Sequence, residues 1–501
     1  MLFEILQPNI IIAIFAASFL GIFIGAIPGL TATMGAALLV PFTVYLDPLP
    51  GMAAIISMAA SSIFAGDIPG TLLHVPGTPA SAAYADDAHA MAKRGQAKRA
   101  LLILLFASVV GGMLSTVSLI FGASYLSRIA MSFTSVEYFW MACLGLSCAV
   151  VIASEKPLKG TAALLIGLAI ASVGFDPTNG YPRFTMGMNE LSGGVMFIPA
   201  LIGLFAVSQI FKSPLKGENV GMTQRETVDN TSMLVEAAQV IATLCRYPIK
   251  LLRGGSLGIV IGALPGAGAD IAAWISYSIS KRFSKTPQEY GKGHEPALIE
   301  ASASNNGALG SAWIPALVLG IPGDTITAIA IGVLIMKGIQ PGPMIFFEQA
   351  NLVNGIFIIF FISNLVLIPV GMIIISMAHR VLSIKRTVLN GFILLFCIVG
   401  AYATSGSVTG IWIMLAMGLL GRYLESRDVP LAPLILALVL GTMIESHMMR
   451  ALITSRGDVD VFFSRPLGLF IAMLVFASLL WPVVMMLIRK VRQKPNTGRE
   501  C

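Results

Sequence analysis

Long apolar runs alternate with short polar stretches from one end of the chain to the other. Residues 9–24, 100–121, 138–153, 355–377 and 467–488 are each apolar for about as long as a helix needs to cross a bilayer. The pattern predicts an all-α integral membrane protein with about a dozen transmembrane segments. Four times the apolar sequence is interrupted by Pro-Gly: in "GAIPGLTAT", "LLHVPGTPASAA", "IGALPGAGA" and "LVLGIPGDTITAI". Proline lacks the N–H that a helix interior needs, and glycine accepts backbone angles that other residues avoid, so these segments predict broken or re-entrant helices.

The breaks come in two sets. "GIFIGAIPGLTATMGAALLVPFTVYL" from Gly21 is echoed by "GIVIGALPGAGADIAAWISYSISKRF" from Gly258, and "LLHVPGTPASAA" from Leu72 by "LVLGIPGDTITAI" from Leu317. The order is the same in both halves, which predicts a duplication. Loop charge suggests its orientation. In the first copy "LDPLPG" has no Lys or Arg and "MAKRGQAKR" has four, whereas in the second "KRFSKTPQEYGKGHE" has four and "MKGIQPGPMIF" one. Lys and Arg mark the cytoplasmic side, so two inverted structural repeats are expected. The organisation expected is a first transmembrane repeat at 1–211, a polar connector at 212–253, a second repeat at 254–465, and a final span with a basic cytoplasmic tail at 466–501. Within the connector, Leu234, Ala237, Ile241 and Leu244 fall at helical spacing, as in an interfacial helix lying on the lipid bilayer.

Composition agrees with the pattern: 56% of residues are hydrophobic, only 11% are charged, and the mean hydropathy is +0.85. The net charge of +7 raises the question of nucleic acid, but the basic residues sit in short clusters between spans and read as topology signals. No nucleic-acid partner is expected. The clusters after Trp481 place the C-terminus in the cytoplasm. The five cysteines show no CxxC spacing and are expected to be packing residues.

Candidate chemistry lies at the breaks. A helix that resumes within the membrane presents unpaired N–H groups and the positive end of its dipole, which suit an anion. One such end contributes at most about 2 kcal/mol, so several must converge to hold a carboxylate. The candidate substrate-binding residues are Pro28, Gly29, Thr31 and Thr33 at the first break, and Gly77, Thr78 and Ser81 at the second. They continue with Gly266 and Gly268 at the third, Gly323 and Thr325 at the fourth, and the adjacent amides Asn305 and Asn306. Asp67, Asp270, Asp324 and Asn305 offer oxygens to a coupling ion, sodium or proton. The hydroxyls could equally cap the new helices, and the amides could join neighbouring helices. The sequence has no HExxH, GxSxG or GxxxxGK[ST] pattern and no metal-ligand spacing, so neither an enzyme, an ATPase, a cofactor nor a metal is expected. A channel stays open as an alternative, since broken helices also build filters.

"IGAIPGLTATMGAALLVPFT", "VPGTPASAA", "MAKRGQAKRAL", "IGALPGAGA", "ASNNGALGSAWIPALVLGIPGD" and "GIQPGP" together resemble the large membrane subunit of the tripartite tricarboxylate transporters. The resemblance covers nearly the whole chain. It implies a bacterial inner-membrane carrier for a citrate-like di- or tricarboxylate, driven by a sodium or proton gradient. It also implies two partners: a small membrane subunit of about four helices and a periplasmic solute-binding protein. Homo-oligomers, and a stand-alone carrier that works without a binding protein, stay open. The chain departs from the family pattern at Asp87–Met91, where the family has Asp-Gly-Tyr-Pro-Met, and at Ser302, where it often has Glu; Glu300 stands nearby.

Overall fold

The computed structural model describes residues 7–27, 30–152, 157–176, 179–212, 232–265, 268–382 and 386–492. Helices account for nearly all of it. In chain order they are α1 (Pro8–Ala26), α2 (Ala32–Thr43), α3 (Pro48–Ala65), α4 (Asp67–Leu73), α5 (Pro79–Ala82), α6 (Ala85–Lys93), α7 (Ala97–Ala130), α8 (Ser135–Ile152) and α9 (Pro157–Ala171). A two-residue hairpin follows, β1 (Gly174–Phe175) against β2 (Pro182–Arg183). Then come α10 (Phe197–Ile202), a π-helical turn at Gly203–Val207, α11 (Ser208–Lys212), α12 (Met233–Arg246), α13 (Pro248–Gly262), α14 (Gly268–Arg282), α15 (Glu295–Leu319), α16 (Thr325–Met336) and α17 (Ile345–Glu348). The last are α18 (Ala350–Leu382), α19 (Arg386–Ser405), α20 (Val408–Ser426), α21 (Leu431–Thr454), α22 (Val461–Ser464) and α23 (Pro466–Arg492).

Among the described residues, six stretches are long and apolar enough to cross a membrane, and six shorter apolar helices accompany them. Proline in the first turn opens α1, α3, α5, α13 and α15, where its missing N–H costs nothing. The chain is thus a multi-pass membrane protein.

Contacts divide the chain into two compact units, Met1–Ser132 with Val195–Arg427, and Phe133–Gly194 with Asp428–Cys501. Each draws on both halves of the sequence. In the second unit Val136, Trp140, Phe462, Ile471 and Val475 form a buried cluster, and the Trp140 indole N–H donates to the Phe462 carbonyl at 2.9 Å. Arg183 grips Glu445 through both guanidinium nitrogens at 2.6 and 3.0 Å, tying the hairpin to α21.

The first unit is built on seams where glycine lets backbones touch. A Cβ added to Gly21 or Gly25 of α1 would overlap the carbonyls of Met58 and Ser62 on α3; one added to Gly258 or Gly262 of α13 would overlap those of Ser304 and Ala308 on α15. The glycines stand four apart in each helix, as do the carbonyls they meet. Gly111 of α7 presses on the Ala303 carbonyl of α15 in the same way. Helix α15 is accordingly buried along its length.

At the connector, residues 213–231 lie outside the described residues. Helix α12 turns Leu234 and Ile241 outward and buries Ala237 and Leu244, so the expected apolar positions divide between two faces. Helix α13 starts at Pro248, inside the stretch assigned to the connector. Its "KLLRGG" reads as polar, but Arg253 and Lys250 both reach the fully buried Glu300 of α15, which Arg253 holds through two nitrogens. Ser302 donates to the Leu104 carbonyl across the seam with α7.

Candidate functional site

Each break is shaped by its own side chains. At the second, His74 closes α4 in the left-handed region (φ 57), the Gly77 N–H donates to the Gly66 carbonyl at 3.0 Å, and Thr78 starts α5. Thr78 and Ser81 exchange side-chain and backbone bonds at 3.1 and 3.2 Å, a capping box. At the fourth, Gly320 (φ 69) closes α15 and Asp324 caps α16. Its Oδ1 accepts from the Thr327 N–H at 2.7 Å, and the Thr327 hydroxyl accepts from the Asp324 N–H at 2.9 Å. A Cβ on Gly77 would lie 2.9 Å from the Gly66 Cα, and one on Gly323 2.7 Å from the Ala312 Cα, so both breaks fold back onto the helix they leave.

At the first break Thr31 caps α2 by accepting from the Met34 N–H at 3.1 Å. At the third, Gly268 (φ +63) opens α14. Pro28, Gly29 and Gly266 lie outside the described residues.

The four breaks then close a ring. Thr33 of the first and Thr325 of the fourth share a hydroxyl–hydroxyl bond of 2.7 Å. The fourth meets the third, where a Cβ on Gly268 would stand 3.6 Å from that of Asp324. The third meets the second: Asp270 Oδ1 accepts from the Ala80 N–H at 3.1 Å, and the Trp274 indole donates to the Pro79 carbonyl at 3.0 Å. The second returns to the first, since a Cβ on Gly77 would lie 2.8 Å from the Gly25 carbonyl oxygen. Thr31, Thr33, Thr78, Asp324 and Thr325 are half-buried, and Asp270 is exposed.

The carboxylates change how the helix ends can act. Asp270 and Asp324 already receive N–H groups that the breaks free, and they set negative charge beside the positive ends of α5 and α16. The Thr33–Thr325 pair uses one of its two hydroxyl protons, so one O–H is left to donate elsewhere.

Asn305 and Asn306 part company. Asn305 donates to the Tyr84 hydroxyl at 3.1 Å, which donates to Asp67 Oδ1 at 2.7 Å. Asn306 is carried to α7 and α18, donating to the Ser108 carbonyl at 3.0 Å and to Asn364 Oδ1 at 3.1 Å. Asn306 thus bonds at a helix crossing. Tyr84 was not signalled by the sequence, and Asp87 entered there only as the first residue of a stretch that departs from the family pattern. Buried Asp87 accepts from the Gly291, Gly293 and His294 N–H groups at 2.8–2.9 Å and from the Tyr277 hydroxyl at 2.8 Å. Elsewhere a cleft of about 300 Å³ opens among Gln7, Asp47, Pro50, Gln349 and Asn351; none of its lining residues belongs to a break.

The family model of the tripartite tricarboxylate transporter TctA family matches residues 11–436, a span that contains all four breaks. The chain belongs to this family. As a TctA-family protein it is a transporter component, and the tripartite family implies further subunits and a membrane setting. Two relatives from Agrobacterium vitis are similar to it. One, an uncharacterized 52.8 kDa protein in the TAR-I ttuC' 3' region, is 32% identical over 98% of this chain and 95% of its own length. The other, an uncharacterized protein in the TAR-II ttuC' 3' region, is 35% identical over 42% of this chain and 87% of its own length. No solved structure matches the chain.

Proposed function

We propose that this TctA-family chain imports a citrate-like di- or tricarboxylate across the bacterial inner membrane, driven by a sodium or proton gradient. A periplasmic solute-binding protein delivers the acid, a small four-helix subunit accompanies the carrier, and the basic C-terminal tail faces the cytoplasm. The observation that carries this reading is the hydroxyl pair of Thr33 and Thr325, drawn from opposite halves of the chain. One unassigned O–H, with the N-terminus of α2 close by, gives a carboxylate donors at a half-buried place.

The matched glycine seams of α1 on α3 and α13 on α15, and the paired capping boxes, support two inverted repeats. In such a carrier the first break of each repeat meets the second break of the other. Alternating access then consists of parting one pair while the other stays closed.

The test is uptake of labelled di- and tricarboxylates into proteoliposomes that hold this chain and its small partner, under a sodium gradient, with and without periplasmic extract. One acid should enter, saturably and only with extract. Thr33→Val and Thr325→Val should each slow it at least tenfold, since a hydrogen bond to a charged group contributes about 1.5–3 kcal/mol and tenfold is about 1.4 kcal/mol, with insertion unchanged. Equal uptake without extract points instead to a stand-alone carrier, and non-saturating conductance to a channel. Full-rate uptake by both variants removes the hydroxyl pair from the site.

A further inference from the structure

We infer that Asp67, Tyr84 and Asn305 form a binding site for a sodium ion beside the second break, an inference that rests on the transport reading above. The three come from separate segments: the junction of α3 and α4, the turn before α6, and the middle of α15. Their exposures are 2%, 1% and 2%, so water does not reach them. Asp67 directly follows Gly66, on which Gly77 and Thr78 pack, so it is coupled to the break through the main chain.

The donor account at this place does not balance. Tyr84 has a single O–H, which goes to Asp67 Oδ1, and Asn305 Nδ2 fills the phenol oxygen. Asp67 Oδ2 and Asn305 Oδ1 are then buried acceptors for which the described residues supply no donor. Nor does any Lys, Arg or His among them stand in an ion pair with Asp67. A buried carboxylate must be paired, protonated or bound to a metal ion. Two orphan acceptors and one negative charge call for a ligand that brings positive charge and no lone pairs. A sodium ion does so, and carboxylate and amide oxygens are hard ligands of the kind that alkali and alkaline-earth ions take; Tyr84, whose O–H and oxygen are both engaged, holds the two in place.

The two sets of breaks allow a comparison of the triad with its counterpart positions. In the register that superposes Met58 on Ser304, Gly66 on Ala312 and Gly77 on Gly323, the positions matching Asp67, Tyr84 and Asn305 hold Trp313, Ala330 and Ala59. All three counterparts are buried and apolar-bodied, and the helices pack there as well. One half of the molecule thus carries the site and the other does not.

The test uses the full-length wild-type chain in detergent, in NaCl or in choline chloride at equal ionic strength. Dicyclohexylcarbodiimide should label Asp67, located by peptide mass mapping, and sodium should slow that labelling at least tenfold where choline does not. Sodium should also raise the melting temperature of the wild type. The rise should vanish in Asp67→Asn, and in Tyr84→Phe it should need at least tenfold more sodium. Labelling that ignores sodium but responds to pH overturns the assignment in favour of a proton site. An undiminished sodium effect in a folded Asp67→Asn overturns it too. Carboxylate counterflow in proteoliposomes separates this from the transport reading: exchange with a sodium-blind Asp67 sinks the cation site alone. Sodium protection in a chain that exchanges no carboxylate sinks the transport reading and leaves the cation site standing.

Discussion

Gly323 and Gly391 have the same side chain and opposite surroundings. A methyl at Gly323 would push into the Ala312 backbone, whereas one at Gly391 would meet nothing within 4 Å. Gly323→Ala is therefore expected to lower the melting temperature and stop transport. Gly391→Ala, in the exposed part of α19, should be neutral or stabilising by up to about 1 kcal/mol. Asn306→Ala removes two donors at the crossing of α15 with α7 and α18 and strands Asn364 Oδ1, which should cost about 1–3 kcal/mol in thermal unfolding. At this scale the sequence was informative where chemistry is local. Thr78 with Ser81, and Asp324 with Thr327, are three apart and pair as that spacing allows. It was silent where chemistry is distant: nothing near Tyr84 says that its hydroxyl joins Asp67 to Asn305, and nothing distinguishes the two adjacent amides until α15 turns them to different neighbours. A helix rotates consecutive residues by about 100°, so adjacency in sequence guarantees that they face apart.

Among the elements, α6 and the loop before α15 depend on a single carboxylate. Asp87 gathers three backbone N–H groups and a phenol, holding residues 291–294 in place as α15 begins. Asp87→Ala takes the acceptor from those part-buried donors and should destabilise the protein by about 1–3 kcal/mol, measured by thermal melting in detergent. The same loop carries a pH dependence. Burial pushes the His294 imidazole below its ordinary range, against the pull of Glu289 beside it at 3.2 Å. The unfolded chain then binds the proton more readily than the folded one, so stability conferred here is present above an ordinary histidine pKa of about 6.5 and declines as pH falls through it. Amide hydrogen exchange at 291–294 should quicken on acidification from neutral pH, and His294→Gln should flatten that response. Breaks, caps and the apolar spans were legible in the sequence because proline, glycine and hydropathy act locally. The start of α13 was not, because Lys250 and Arg253 are matched by a buried glutamate far along the chain.

For the molecule as a whole, the order of motifs predicts a duplication, and the division into compact units cuts across the two halves so defined. Residues 133–194 leave the first half and 428 onward leave the second, and they join one another through contacts such as Arg183 with Glu445. Hydropathy cannot register such an exchange, since apolar helices of either unit look alike. The glycine seams carry a mechanical consequence. Where Gly111, Gly254, Gly258 and Gly262 press main chain against the main chain of α15, there is no rotatable group at the contact to ease a slide. Helices α7, α13 and α15 are therefore expected to travel as one plank in a working cycle. Whatever hinges the breaks use, the grain of that plank stays fixed.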